Sequence, residues 1–289
     1  MSGVVRIRVL GRPGCGLRTV ARVLRTAGFP VVGSAERADL DVYLVAETLK
    51  PEDRRALAEA PLPVVVVLNK ADLTGFGGAG PVAATTERCR LLSGRFGLSI
   101  YPLVGLVALA AVDDTIIDAE MLAELRTLST EPADLGSTDR FADGPHRLPA
   151  PLRQRLLTHL DLFGIAHAVS AIRAGADRAA VLAALRRASA LDGLLAGIDA
   201  AAAPARYERL AESSADLDAR MAAAIEVVKA AGMMVDDGST AEAHLRRAIV
   251  WQRYARGPVS GLHGRCAADI TRGSLRMWER AGGVPEPLP

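Results

Sequence analysis

The residues best placed to do chemistry are Asn69, Lys70, Ala71 and Asp72, which follow directly on the apolar run Pro63-Val64-Val65-Val66-Val67-Leu68. A carboxamide, an ammonium and a carboxylate stand together at the end of a buried strand. That is where open α/β sheets bind their ligands, beyond the carboxyl ends of the strands. Lysine is scarce, at Lys50, Lys70 and Lys229 only, while arginine is abundant. A lysine kept at position 70 is therefore held for its shape more than for its charge. A second segment has the same character. Val4 to Leu10 reads as a strand, Gly11-Arg12-Pro13-Gly14-Cys15-Gly16 as a glycine-rich turn, and Leu17 to Arg25 as a helix. Backbone N–H groups at such a turn can form an anion-binding nest at the helix N-terminus.

The two segments together resemble the nucleotide-binding motifs of P-loop GTPases of the dynamin-like or Era-like, translation-factor-related class. Asn69 to Asp72 matches the N-K-x-D motif, and Gly11 and Gly16 keep the G-x-x-x-x-G frame of the Walker A loop. The resemblance implies that Asp72 accepts from the guanine N1–H and exocyclic amine, an edge adenine cannot present. It implies that the Lys70 stem packs on the base plane and that Asn69 ties its loop to the phosphate loop. Gly11, Gly14, Gly16, Arg18 and Thr19 become the candidate phosphate-binding residues, and GTP or GDP the expected ligand.

The departures from that pattern bear on activity. Where the motif carries Lys for the β- and γ-phosphates and Ser or Thr for Mg²⁺, this chain has Leu17 and Arg18. Thr19 comes one residue late, about 100° around the helix, so Mg²⁺ lacks its usual ligand. The interval from Gly11 to Asn69 is short and holds no D-x-x-G, the switch element that senses the γ-phosphate. Glu47 stands at a strand end and reads as a solvated strand-end or helix-cap residue in preference to a metal ligand or water-activating carboxylate. The last guanine-contacting loop is expected near Ser99 to Gly105, which contains no Ser-Ala-Lys-like triplet. No catalytic residue and no metal site is assigned.

The elements that must position these residues follow from composition. At 289 residues the chain has room for two domains. Ala and Leu dominate while aromatics make up only 4%, which favours helix over sheet. A net charge of +2 is too near neutral for the overall charge to imply nucleic-acid binding. Cys15, Cys89 and Cys266 are odd in number and widely spaced, which points to a reduced, cytoplasmic protein without a disulfide framework. No secretory signal is read in the first residues. The scarcity of Lys beside Arg fits a high-GC bacterial genome. Phe96 to Val112 carries no charge, but Pro102 and Gly105 interrupt it. A strand over Tyr101–Val104 leading to a helix from Leu106 explains it more simply than a membrane span; a paddle-like contact with a membrane surface is the alternative.

The Pro-, Gly- and Ser-rich stretch 129–150 reads as a linker, and Gly75 to Pro81 as a mobile loop. Beyond it the pattern is helical. Leu156, Leu160, Phe163 and His167 fall on one face, so that His167 reads as a core histidine. Pro204 reads as a helix start. Leu210, Ser214, Leu217, Met221, Ala224 and Val228 form an a/d seam. Thr240 or Ser239 caps the next helix. His263 and Cys266 have metal-like spacing but no second pair. Trp251 to Arg256, with Arg246 and Arg247, is a basic and aromatic cluster, expected to be a packed Trp with solvated arginines.

The expected architecture is α/β plus all-α: a truncated P-loop GTPase-like parallel sheet (1–128), a Pro-rich linker (129–150) and a bundle of five or six helices (151–289). The expected function is that of a degenerate GTPase-like protein (a pseudo-GTPase) with weak or absent guanine-nucleotide binding. It would act as a regulatory or structural partner through its helical domain, in the cytoplasm or peripherally at a membrane. The expected partner is a protein such as a related intact GTPase; a membrane surface is the alternative, and no nucleic acid is expected. The competing reading is an active, atypical, dynamin-like GTPase with Arg18 in place of the phosphate-loop lysine.

Overall fold

A computed structural model describes residues 5–73, 78 and 80–284. The chain is mixed α/β, with five strands and, among the described residues, twelve α-helices. The strands are β1 (Ile7–Gly11), β2 (Val31–Val32), β3 (Leu40–Ala46), β4 (Val64–Asn69) and β5 (Ser99–Leu103), in the spatial order β2-β1-β3-β4-β5. All four pairings are parallel. A parallel sheet needs helical crossovers and is covered on both faces, which is why β3 and β4 read as nearly continuous apolar runs. The crossovers include α1 (Leu17–Thr26), α2 (Pro51–Ala58) and α3 (Pro81–Phe96), and β5 leads into α4 (Gly105–Val112).

Side-chain alternation along β4 divides the core. Val66 and Leu68 join Val45, Leu49, Leu57, Cys89 and Ile100 in a cluster under α2 and α3. Val65 and Val67, fully buried, point to the opposite face, where α1 packs on α4. Asn69 falls in the phase of Val65 and Val67, so its carboxamide is aimed at the α1/α4 side. The uncharged stretch resolves as expected into strand β5 and helix α4, and no helix among the described residues is long and apolar enough to cross a membrane.

The stretch expected to be a linker is partly helical. It holds the end of α5 (Ala119–Thr130) and all of α6 (Thr138–Asp143), whose Phe141 is fully buried. The next helices, α7 (Ala150–Arg173) and α8 (Arg178–Ala188), pack against α4, and α7 also against α5 and α6. The structure therefore draws the division elsewhere than residues 129–150. Among the described residues, one compact unit comprises residues 6–198 and the other comprises Val5 and residues 199–284. The division falls inside α9 (Leu191–Ser213). The sheet does not end its apolar surface at residue 128, because α4 and α5 still need cover that α7 and α8 supply.

Several helical expectations are revised. Helix α7 is interrupted at Asp161, whose backbone has φ 55° and ψ 175°. The break changes the buried phase from Leu156 and Leu160 to Gly164, Ile165, Ala168 and Val169. His167 is consequently exposed, with its ring 4.5 Å from that of Phe163, and is not a core histidine. Pro204 lies inside α9 and does not start a helix. The seam from Leu210 to Val228 is not continuous, because α9 ends at Ser213 and Asp216 caps a new helix, α10 (Leu217–Ala230).

In the second unit α12 (Gly261–Arg280) packs on α10 and on α11 (Ala241–Ala255), which Thr240 caps as expected. Trp251 is buried with Tyr254 edge-on against it, while Arg253 and Arg256 are exposed, the packed-Trp arrangement expected for that cluster. Arg247 departs from it. The side chain is buried and bonded to Ser274, His244 and the Asp236 carbonyl, and so serves the interior.

Candidate functional site

The glycine-rich turn after β1 takes backbone conformations its glycines permit. Gly14 and Gly16 have φ 85° and 89°, in the left-handed region. Gly16 then caps α1, and a Cβ there would collide with the carboxamide of Asn69. The glycine is thus required by close approach as well as by dihedral angle.

Asn69 is the joint of the site. It is 3% exposed, and both ends of its carboxamide are used. Its Nδ2 donates to the Cys15 carbonyl at 2.8 Å, and its Oδ1 accepts from the Gly105 N–H at 3.0 Å. One side chain at the end of β4 therefore binds the loop after β1 and the loop after β5 together. Buried amides are rarely left unpaired, so this pair of hydrogen bonds fixes the register of three loops at once. The chain leaves β4 through Lys70 in the left-handed conformation, φ 59°, and then makes a 3₁₀ turn over Ala71–Leu73. The Thr85 hydroxyl of α3 donates to the Ala71 carbonyl at 3.0 Å and holds that turn down.

These loops enclose a cavity of about 260 Å³ lined by Gly16, Thr19, Asn69, Lys70, Asp72, Leu73, Val104, Gly105, Leu106 and Asp161. Of the residues singled out from sequence, Asn69, Lys70, Asp72, Gly16 and Thr19 come together here. Gly11 and Gly14 shape the turn without lining the cavity. Arg18 goes elsewhere: it is exposed and lines a separate, shallower depression with Leu17, Arg22, Arg25 and the β2 edge. Glu47 is an exposed strand-end residue with φ 64°. The expected mobile loop lies largely outside the described residues, which omit 75–77 and 79 of it.

The electrostatics of the cavity are dominated by carboxylates. Burial raises the Asp72 pKa above the usual carboxylate value; the charge of Asp161 adds to the rise, and Lys70 opposes it. Asp161 was not foreseen, since it lies in α7 far along the chain. The one signal was an acid set among Leu160, Leu162 and Phe163, where the helical pattern calls for an apolar or neutral face. The loop after β5 contributes Val104, Gly105 and Leu106 despite having no Ser-Ala-Lys-like triplet; its contribution is a backbone N–H and apolar walls.

The turn is also tied to α2. Arg12 Nε lies 2.9 Å from Oδ1 of the fully buried Asp53, which accepts as well from the Tyr43 hydroxyl at 3.1 Å and the Lys50 N–H at 2.9 Å. Burial, then the hydrogen bond to Asp53, pushes the Tyr43 phenol up to about 12. Arg12 is thus a structural partner of the α2 N-terminus, where Asp53 caps the first turn. No group of three or more His, Cys, Asp or Glu side chains among the described residues is arranged to hold a metal ion. A second cavity, about 270 Å³, is walled by Leu128, Phe141, Ile165 and Val169 and contains none of the residues singled out from sequence. Neither a scan of protein-family models nor a search of curated proteins finds a match to this chain.

Proposed function

We propose that this chain is a degenerate relative of P-loop GTPases, a regulatory or structural protein that keeps a guanine-reading pocket and lacks the means to hydrolyse nucleotide. The observation that carries the reading is the double hydrogen bond of Asn69. In an N-K-x-D site the Asn is expected to tie the base-reading loop to the phosphate loop, and Asn69 bonds the Cys15 carbonyl of that turn at 2.8 Å. Asp72, Lys70 and Thr19 then line one cavity with it, at the carboxyl ends of β1, β4 and β5.

Loss of hydrolysis follows from residue identity. Leu17 cannot neutralise a β- or γ-phosphate, Arg18 has no oxygen with which to hold Mg²⁺, and no D-x-x-G separates Gly11 from Asn69. The competing reading, an active enzyme using Arg18, is disfavoured because Arg18 lines a different depression from Lys70 and Asp72. The helices beyond residue 198 would carry the partner-binding role, with the exposed Arg253 and Arg256 as its polar contacts.

The test is base selectivity. Calorimetric titration should give measurable affinity for ligands with a guanine edge and none for the adenine counterparts. Asp72→Asn should shift preference toward xanthine, whose C2 carbonyl pairs with the new amide N–H₂. Equal binding of guanine and adenine ligands would remove the base-reading assignment, and steady GTP turnover by the unmodified protein would remove the pseudoenzyme reading.

A further inference from the structure

The cavity differs from a nucleoside-triphosphate site in one element that the GTPase-like motifs do not contain: Asp161. Its carboxylate is brought to the cavity wall by a break inside α7, at φ 55° and ψ 175°. That conformation is essentially a glycine one and costs a non-glycine residue free energy, so it persists only where the surroundings over-determine it. The surroundings here are rigid. Three residues on, Gly164 lets α7 approach α4 so closely that a Cβ would come within 3.0 Å of Val107 Cγ2. Helix α4 in turn begins at Gly105, whose N–H is bonded to Asn69. Asp161 is therefore held in register with the base-reading loop through the chain Asn69–Gly105–α4–Gly164.

The charges around the space follow. Asp72 and Asp161 face it with Lys70 as the one cation, so the described wall carries a net negative charge. The phosphate-loop position that would add a cation is Leu17, and Arg18 lines a different depression. A volume of about 260 Å³ lies at or below the small end of ligand pockets, of order 300 Å³ and above. A nucleoside matches it better than a triphosphate with its metal ion.

We infer that the pocket takes an unphosphorylated guanine nucleoside in preference to GDP or GTP, and that Asp161 is the residue that sets this preference by placing a second carboxylate opposite Asp72. The inference rests on the guanine reading above and deepens it. Asp72 accepts from the base edge. Asp161 already accepts from the Leu162 N–H through Oδ1 at 2.7 Å; its other oxygen offers an acceptor to a further donor, as the ribose hydroxyls or the exocyclic amine provide, and its charge repels each added phosphate.

The experiment is calorimetric titration of the full chain with guanosine, GMP, GDP and GTP, with adenosine and inosine as controls, at low and at moderate salt. Guanosine should bind tightest, with affinity falling at each added phosphate and the gap narrowing as salt screens it. Inosine, lacking the exocyclic amine, should bind more weakly than guanosine, and adenosine not at all. Asp161→Asn should close the guanosine–GTP gap by on the order of tenfold at low salt, the effect of removing one unit charge near the phosphates. Asn tolerates positive φ, and Asp161→Gly releases the backbone altogether, so at least one of the two variants keeps the fold. GDP or GTP binding more tightly than guanosine would overturn the inference and leave the guanine reading standing. So would an unchanged gap in both variants. Adenosine binding as well as guanosine, or no binding by any guanine ligand, would overturn the guanine reading and the inference with it.

Discussion

Replacing Asn69 by Ala removes the carboxamide that holds three loops together. The side chain is 3% exposed, and its loss leaves the Cys15 carbonyl and the Gly105 N–H without their partners. A buried polar group left unpaired costs about 1–3 kcal/mol. Two such groups bring the expected loss to about 2–6 kcal/mol, nearer the lower value, about 2–3 kcal/mol, because the adjacent cavity, which Gly105 lines, admits water to its N–H. For a unit of this size each kcal/mol lowers the melting temperature by about 2–4 °C, so a fall of roughly 4–12 °C is expected. Urea denaturation with an unchanged slope would give the free energy, and amide exchange would report the Gly105 N–H directly. A coupled measurement sharpens the test. Gly16→Ala alone incurs left-handed strain, about 1–2 kcal/mol, and also a collision with the Asn69 amide. In the Asn69→Ala background the collision is gone, so the double variant should lose less than the sum of the single losses. An Asn69→Ala protein within about 0.5 kcal/mol of the parent, with its Gly105 amide still protected, would refute the idea that this side chain joins the loops. Strict additivity would refute its contact with Gly16.

Other outcomes follow from the same reasoning. Asp72 has a raised pKa, so its contribution to stability is fully present below the unfolded carboxylate value of 3.8 and is lost as pH rises through the folded value; Asp72→Asn should therefore raise the melting temperature at pH 7, with the gain vanishing in acid, and a pH-independent effect would contradict the burial assigned to it. Leu17→Lys with Arg18→Thr should add Mg²⁺-dependent affinity for GDP, measured by titration with and without the metal, while turnover stays at background because no D-x-x-G lies between Gly11 and Asn69 to place a water. In the second unit the fully buried Asp269 accepts from Tyr207 at 2.9 Å and from Arg220 at 2.7–3.0 Å; Asp269→Ala strands these donors and should cost about 3–5 kcal/mol by denaturant titration, and Tyr207→Phe only about 1 kcal/mol. Burial pushes the Cys89 thiol up to about 12 and that of Cys266 up to about 11, and Cys15 is also buried; a thiol reagent should label none of the three promptly in the native protein and all three in denaturant.

Local features were legible from the residues themselves. The four-valine run read as a buried strand, and the motif at its end drew attention to Asn69, Lys70 and Asp72 because the chemistry of those side chains is local to one turn. The glycines at 14 and 16 announced their turn because few other residues accept positive φ. Strand β5 and helix α4 were readable from an uncharged stretch punctuated by Pro102 and Gly105. What tertiary structure alone decided is the company these residues keep. Asp161 reaches the cavity only because α7 breaks there and packs on α4, a relation between residues far apart in the chain that no periodicity encodes. The same break removed His167 from the core, since extrapolating a 3.6-residue period fails once the helix phase is reset. The prolines around 129–150 signalled an irregular connection correctly but not a domain boundary. Whether helices beyond a linker join one core or another depends on which apolar faces remain uncovered, and here α4 and α5 required α7 and α8. Charge followed the same logic. Sequence put Arg18 among the candidate phosphate-binding residues, but the helical phase of α1 turned it to a different surface, and a buried carboxylate at Asp53 drew the neighbouring Arg12 toward α2.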